Sequence, residues 1–275
     1  MGNAMRIGFV GAGKMAEAMV RRLLESNSSF PVSIAASARR PERAAEWATA
    51  YPDVSVTLDS GDCVTGADVV VLCVKPAQLT TVAVSLVGKL PESCVVISIL
   101  AGVQISRLEE TLRHRSVVRA MPNTPGQIGQ GITGWCASSS VLAYHLELSR
   151  TVLGTLGEEI YFQEEELLDI VTAVSGSGPG LVYEFMEGVE DAAVQLGMPR
   201  DISKRLVIQM VLGSAAYANA RPEKNFAALR HEIVSPGGTT AQGSFILHLE
   251  RFRAGIIKAV VAMWDKCREL GKPKA

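Results

Sequence analysis

The segment Gly11-Ala12-Gly13-Lys14-Met15-Ala16 follows a short apolar run, Arg6–Val10, and opens a stretch of helical pattern, Lys14–Leu24. Glycines at a strand-to-helix turn constrain the fold more than any other feature of this chain. The spacing fits G-x-G-x-x-G/A with Ala16 in the last place. Gly11 permits the tight turn, Gly13 lets the backbone come close to a pyrophosphate, and small Ala16 lets the helix pack close to the sheet. Lys14 and Met15 open that helix, whose free N–H groups and partial positive charge suit phosphates. A generic strand–helix turn is the plain alternative, but a strand before the loop and a helix after it favour a dinucleotide site.

The rest of the first half agrees. Val32–Ala36, Val69–Val74, Val95–Ile99, Val117–Ala120 and Ile132–Ala137 read as strands, with a helix from Pro41 to Tyr51. Solid apolar runs such as Val69–Val74 are those of strands buried on both faces of a parallel sheet. The expected fold is a doubly wound α/β domain over 1–163. Strand signals stop near Gln163. Glu164–Val174, Gly180–Leu196 and Ile202–Ala220 then read as helices, and Ala241–Leu270 as a last pair or one long helix stopped by Gly271 and Pro273. The second domain, 164–275, is therefore expected to be all-helical.

Composition narrows the function. The 275 residues carry 27 Lys+Arg against 28 Asp+Glu, a balance that lacks the basic footprint of a general nucleic-acid binder. Mean hydropathy is high at +0.21, yet no apolar run approaches the ~20 residues of a membrane span. Helices apolar on more than one face need a second partner, so a homodimer through the helical domain is expected. No signal peptide is evident, and Met1-Gly2-Asn3-Ala4, ahead of Met5, is given no part in the fold. The five cysteines are read as buried hydrophobes of a cytoplasmic protein. The four histidines lack metal spacing and are read as surface residues, and Glu164-Glu165-Glu166 as a solvated first turn.

The end of the second strand bears on the choice of dinucleotide. An NAD-selective site usually has an acid there, to bond the ribose 2′-OH. Here the chain reads Ala35-Ala36-Ser37-Ala38-Arg39-Arg40-Pro41, and no acid comes before Glu42. Arg39 and Arg40 can pair with a 2′-phosphate, and Ser37 adds a hydroxyl, the plain alternative being arginines that solvate a helix start. NADPH is the expected cofactor, with NADH possible. Val74-Lys75-Pro76 ends the fourth strand and should lie by the nicotinamide half.

In the second half, Ser235-Pro236-Gly237-Gly238-Thr239-Thr240 leads into a helix. Bare amides at Gly237, Gly238 and the helix start suit a carboxylate. A hydroxyl at Ser235 or Thr240 can bond that carboxylate or a ring nitrogen. A plain N-cap is the alternative, although an N-cap does not require Gly-Gly in front.

Together with Arg119-Ala120-Met121-Pro122-Asn123-Thr124-Pro125, Ser175-Gly176-Ser177-Gly178-Pro179 and Ser98–Val103, these segments resemble the pyrroline-5-carboxylate reductase family, from Arg6 to Leu270. The resemblance implies hydride transfer from NAD(P)H to the C=N carbon of a cyclic imine carboxylate, in proline synthesis. It implies a homodimer, with larger rings of dimers allowed. It adds Ala101 and Asn123 to the cofactor-binding positions, and Ser177, Gly178 and Pro179 to a substrate set with Ser235, Gly238, Thr239 and Thr240. Thr240 is placed at the imine nitrogen, and Glu223 resembles a family site acid, with a solvated loop glutamate as the plain alternative. The chain departs from the family at Gly180-Leu181, Glu184 and Asn225-Phe226, all in the substrate half, which leaves a six-membered imine acid open as substrate. A 3-hydroxyacid-type dehydrogenase would want a lysine soon after the junction, and none occurs between Gln163 and Arg200. A non-catalytic NADPH sensor would have no need of a carboxylate loop.

Overall fold

The computed structural model describes residues 4–25 and 31–271. Met1, Gly2 and Asn3, and Pro273 with its expected stop, lie outside the described residues. The chain alternates from the start: β1 (Met5–Val10), α1 (Lys14–Glu25), β2 (Val32–Ser37), α2 (Pro41–Ala50), β3 (Val54–Thr57), α3 (Ser60–Val64), β4 (Val69–Leu72), α4 (Leu79–Leu86), β5 (Val95–Ser98), α5 (Ile105–Leu112), β6 (Val117–Met121), β7 (Gly131–Ala137), α6 (Ala143–Gly154) and β8 (Gly157–Tyr161). These strands form one sheet in the order β3-β2-β1-β4-β5-β6-β7-β8. All neighbours are parallel except β6 and β7. Strand order reverses at β1, between β2 and β4, and such a switch point opens a crevice at the strands' carboxyl ends.

β4 explains the solid valine run. Val69 and Val71 join a core layer with Ile7, Phe9 and Trp47, while Val70 and Leu72 join the opposite layer with Val96 and Leu108. Side chains alternate faces along a strand, so a strand covered on both sides must be apolar at every position. Each such side chain contributes about 1.5–3 kcal/mol relative to exposure. Gly8 in β1 lets α3 approach closely, since a Cβ there would lie 2.7 Å from the Cys63 carbonyl oxygen. β8 has no apolar run to announce it. It is an edge strand that exposes Glu158, Ile160 and Tyr161.

The helix expected over Glu164–Val174 is shorter and changes character. α7 (Leu167–Val171) passes into a π-helical turn over Thr172–Gly176. The Ser177 N–H donates to the Thr172 carbonyl at 2.8 Å. Gly176 lets this turn rest on Met121, whose Cε would be 2.7 Å from a Cβ there. α8 (Gly178–Gln195) closes at Gly197, left-handed at φ +98°. α9 (Arg200–Asn219) and α10 (Phe226–Glu232) follow, the latter capped by the Asn225 side chain. α11 (Thr239–Leu249) and α12 (Phe252–Gly271) are separate helices, with left-handed Arg251 between them.

By packing, the chain forms two units. One runs to Ser177 and takes back the chain from Met263, and the other is Gly178–Ala262. In the second unit α8, α10 and α11 bury no residue completely, and α9 buries only Ser203 and Val207. Phe185, Leu206, Leu212 and Phe245 stand exposed. No helix among the described residues is long and apolar enough to cross a membrane.

Two expectations for polar residues are corrected. His114 and His145 are buried rather than on the surface. His114 Nε2 lies 2.9 Å from the Cys94 carbonyl and His145 Nε2 2.9 Å from that of Ser93, so each buried ring finds a backbone partner. His231 and His248 are exposed. Glu165 does not merely solvate a helix turn: it accepts from the Ile105 N–H at 2.8 Å and from Arg119 Nη1 at 3.0 Å. Arg119 also bonds Asp169 at 2.5 Å and is almost wholly buried. A buried guanidinium needs such paired acceptors to offset its desolvation.

Candidate active site

A cavity of about 710 Å³ opens at the carboxyl ends of β1, β2 and β4. Its walls include Gly11–Gly13 after β1, Ser37–Arg40 after β2, Leu58–Ser60 after β3, and Cys73–Lys75 after β4. The crevice expected from strand order and the cavity thus coincide, at a size usual for cofactor sites.

The two loop glycines are required for different reasons. Gly11 is left-handed at φ +104°, and a Cβ there would meet the Cys73 carbonyl and Val74 Cγ1 at 3.0 Å. The fold itself demands that glycine. Gly13 has no left-handed φ, and a Cβ there would find only the Cys73 oxygen, at 3.8 Å. Protein packing does not call for a glycine at 13. A ligand passing close to the backbone does, so these residues fit a dinucleotide. The Ala16 side chain is wholly buried, as close packing of α1 on the sheet requires.

Arg39 and Arg40 are exposed on the cavity wall, and neither makes a hydrogen bond or ion pair through its side chain among the described residues. Two unpaired guanidinium groups at this position leave their donors free for a phosphate. Asp59 is the carboxylate of the wall, but it is committed: it accepts from the Gly61 N–H at 2.6 Å, which holds its pKa below the ordinary value, and faces Lys89 at 3.7 Å. Ser37 is buried with its hydroxyl 3.1 Å from that of Ser60. Lys75 is exposed, and its N–H donates to Gln78 Oε1 at 3.1 Å.

The cavity wall does not include Lys14, Met15, Pro76, Ala101 or Asn123. Lys14 and Met15 open α1, and Pro76 begins a short 3₁₀ turn. Ala101 lies in the turn after β5, and Asn123 after β6, where its Oδ1 accepts from the Ile132 N–H at 3.1 Å. Arg43 was not foreseen. It lies one helical turn below Arg40, lines the same cavity, and bonds the Ala12 carbonyl at 3.0 Å through Nε. Spacing along α2 is the signal that would have found it.

The remaining sites lie elsewhere in the chain. Ser177 is exposed and ends the π-helical turn, and Gly178 and Pro179 begin α8. In the second unit Gly237 is left-handed at φ +72°, and the Gly238 N–H donates to the Ser235 carbonyl at 3.0 Å. Gly238 caps α11 through its backbone, without a side-chain bond. Among the described residues, the N–H groups of Thr239, Thr240 and Ala241 and the hydroxyls of Ser235 and Thr240 have no partner. That set can take a carboxylate. Glu223 is exposed in the turn before α10.

Burial pushes the thiols of Cys63, Cys94 and Cys136 up to about 12 and raises that of Cys73, so none is a thiolate nucleophile. No group of three or more His, Cys, Asp or Glu suited to a metal occurs among the described residues.

Residues 165–270 match the family model described as pyrroline-5-carboxylate reductase dimerisation, and residues 6–102 match one described as NADP oxidoreductase, coenzyme F420-dependent. Among solved structures, a pyrroline-5-carboxylate reductase from Coxiella burnetii superposes with a TM-score of 0.85 at 32% identity, covering 98% of this chain and 100% of that one. A Plasmodium falciparum pyrroline carboxylate reductase with NADP bound gives 0.84 at 28% identity, covering 98% of each chain. A Synechocystis sp. pyrroline-5-carboxylate reductase is 35% identical over 98% of this chain and 99% of its own length. With likeness of that extent at both its ends, the chain belongs to the pyrroline-5-carboxylate reductase family.

Proposed function

We propose that the protein reduces 1-pyrroline-5-carboxylate to proline with NADPH. One observation carries the coenzyme: Arg39 and Arg40 stand unpaired among the described residues on the wall of a cavity whose Gly13 is not kept small by the protein's own packing, a Cβ there meeting only the Cys73 oxygen at an unstrained 3.8 Å. The solved Plasmodium relative with NADP bound supports the same choice. When bound, the coenzyme supplies a hydride from C4 of its dihydronicotinamide.

The chain's own residues bind and orient. Gly11–Gly13 and the start of α1 take the pyrophosphate, Arg39 and Arg40 the 2′-phosphate, and Lys75 lies toward the nicotinamide end. Ala101 and Asn123 complete that set. The amides of Thr239, Thr240 and Ala241 hold the substrate carboxylate with the Ser235 hydroxyl, and Ser177, Gly178 and Pro179 join the substrate set. The Thr240 hydroxyl bonds the imine nitrogen, which becomes the amine as the carbon is reduced. A pyrroline nitrogen is basic enough to arrive protonated, so no strong acid is needed, and Glu223 serves as an accessory acid. Functionally, 1–163 is the coenzyme domain and 164–275 the substrate and dimerisation domain.

A homodimer belongs to the same proposal. The exposed apolar helices of the second unit favour it, as do Gly188 in α8 and Gly213 in α9, whose Cβ positions are open. A mid-helix glycine costs about 1 kcal/mol against alanine, a cost that a closely packed second helix offsets. Sedimentation should give twice the chain mass of 29.3 kDa. A cytoplasmic location fits the buried, unbridged thiols.

The test is a panel of five- and six-membered imine carboxylates with NADPH and NADH. Fastest NADPH oxidation with the five-membered imine supports the proposal. No turnover at millimolar substrate overturns it.

A further inference from the structure

The three arginines of the cavity wall divide into two kinds. Arg39 and Arg40 are exposed and unpaired among the described residues. Arg43 is mostly covered and engaged through each of its three nitrogens. Its Nε donates to the Ala12 carbonyl at 3.0 Å, its Nη2 to Glu17 at 2.6 Å, and its Nη1 to Glu46 at 2.9 Å. The guanidinium also lies 5.7 Å from the centre of the Trp47 ring. Glu17 in turn accepts from the Tyr51 hydroxyl at 3.3 Å, and Tyr51 meets Trp47 edge-on at 5.5 Å.

Two carboxylates already occupy the Nη atoms of Arg43, whereas Arg39 and Arg40 have no such partners among the described residues. The Nε bond of Arg43 holds the Ala12 peptide, which links the two glycines of the phosphate loop. A peptide flanked by glycines has more freedom than any other, and a carbonyl turned into the cavity would repel a pyrophosphate. The planar guanidinium presents three nitrogens, each to its own acceptor, an arrangement that the single nitrogen of a lysine does not reproduce.

We propose that Arg43 is a positioning residue: it fixes the Ala12 carbonyl and so sets the Gly11–Gly13 loop for any dinucleotide, while Arg39 and Arg40 read the 2′-phosphate. This rests on the coenzyme use proposed above. It assigns affinity for the shared part of NADPH and NADH to Arg43, and the difference between them to its neighbours.

The test is equilibrium binding of NADPH and of NADH to the full-length protein and to Arg43→Lys, Arg43→Ala, Glu17→Gln and the Glu17→Gln/Arg43→Lys pair. Melting curves without coenzyme set a temperature at which each variant used is folded. Arg43→Lys should weaken both coenzymes by the same factor, about tenfold, as loss of a charge-assisted bond implies. Retaining the charge should not rescue binding. Glu17→Gln should weaken both by a smaller factor, and the pair should be no worse than Arg43→Lys alone, as partners in one network behave. If Arg43→Ala does not fold, the lysine and glutamine variants still decide. Restored NADPH binding in Arg43→Lys, a loss confined to NADPH, or unchanged binding in every variant overturns the inference while leaving the proposed function intact. A wild-type protein that binds neither coenzyme overturns both.

Discussion

Two glycine-rich loops of this chain lead into helix N-termini, and they are built differently. Gly11–Gly13 is finished by its own unit: Cys73 blocks any Cβ at Gly11, Arg43 holds the Ala12 carbonyl, and Ala16 is sealed against the sheet. Gly237–Gly238 is exposed or partly so, a Cβ at Gly237 would meet nothing, and the bond from the Gly238 N–H to the Ser235 carbonyl closes only the turn. Both present free amides to an anion. On the reading proposed above, the first would be an anion site braced by its own unit, the second a bare set of donors on a unit whose helices bury few residues. Affinity for the coenzyme should therefore be set within the first unit, while turnover should depend on the second.

Thr240→Ala should show the largest effect if that division holds. Loss of the hydroxyl at the imine nitrogen should lower kcat/KM by about 100-fold or more, while NADPH binding by titration stays nearly unchanged. Equal losses in both would erase the contrast between the loops. Next in size is the Arg39→Ala/Arg40→Ala pair, which should raise the NADPH KM by about 100-fold and leave that for NADH nearly unaltered. A parallel rise for both coenzymes would mean that these arginines do not touch the 2′-phosphate.

The glycines offer a smaller, structural comparison. Gly11→Ala combines a left-handed backbone with a 3.0 Å contact, whereas Gly237→Ala meets only the backbone penalty. The first should cost about 2–3 kcal/mol in denaturant titrations, the second about 1 kcal/mol. Equal costs would show that the first loop is no better braced than the second.

Acid should act on the first unit most gently of all. Burial holds the His114 pKa below the ordinary histidine value, with His145 acting in the same direction and the Cys94 carbonyl opposing them. The unfolded chain then takes up a proton near ~6.5, while the folded chain resists it to lower pH. The stabilisation is complete above the unfolded pKa and is lost as pH falls through the folded one. The urea midpoint should drop between neutral and mildly acidic buffer, and His114→Asn should flatten that slope.

The same contrast explains what could be read in the sequence. The valine run of β4 follows from burial on two faces and stands as expected, ending at Leu72 rather than Val74, and the turn at Gly11 follows from its left-handed backbone. β8 was hidden because an edge strand needs no apolar face, and the π-helical end of α7 because it depends on Gly176 meeting Met121, distant in sequence. His114, His145 and Glu165 were misjudged for the same reason, since the carbonyls and the guanidinium that employ them come from other elements. The Ser235–Thr240 loop could be read as an anion site from its residues. Assigning that anion to an imine carboxylate needed the family resemblance, and its substrate roles rest on the proposal above.

The most direct test follows the transferred hydrogen. With NADPH deuterated at the reactive face of C4 and 1-pyrroline-5-carboxylate as substrate, the account predicts proline carrying one deuterium at C5, formed about 100-fold more slowly by Thr240→Ala while NADPH remains bound. Unlabelled proline, or no proline at all from a wild-type protein saturated with both ligands, would contradict it.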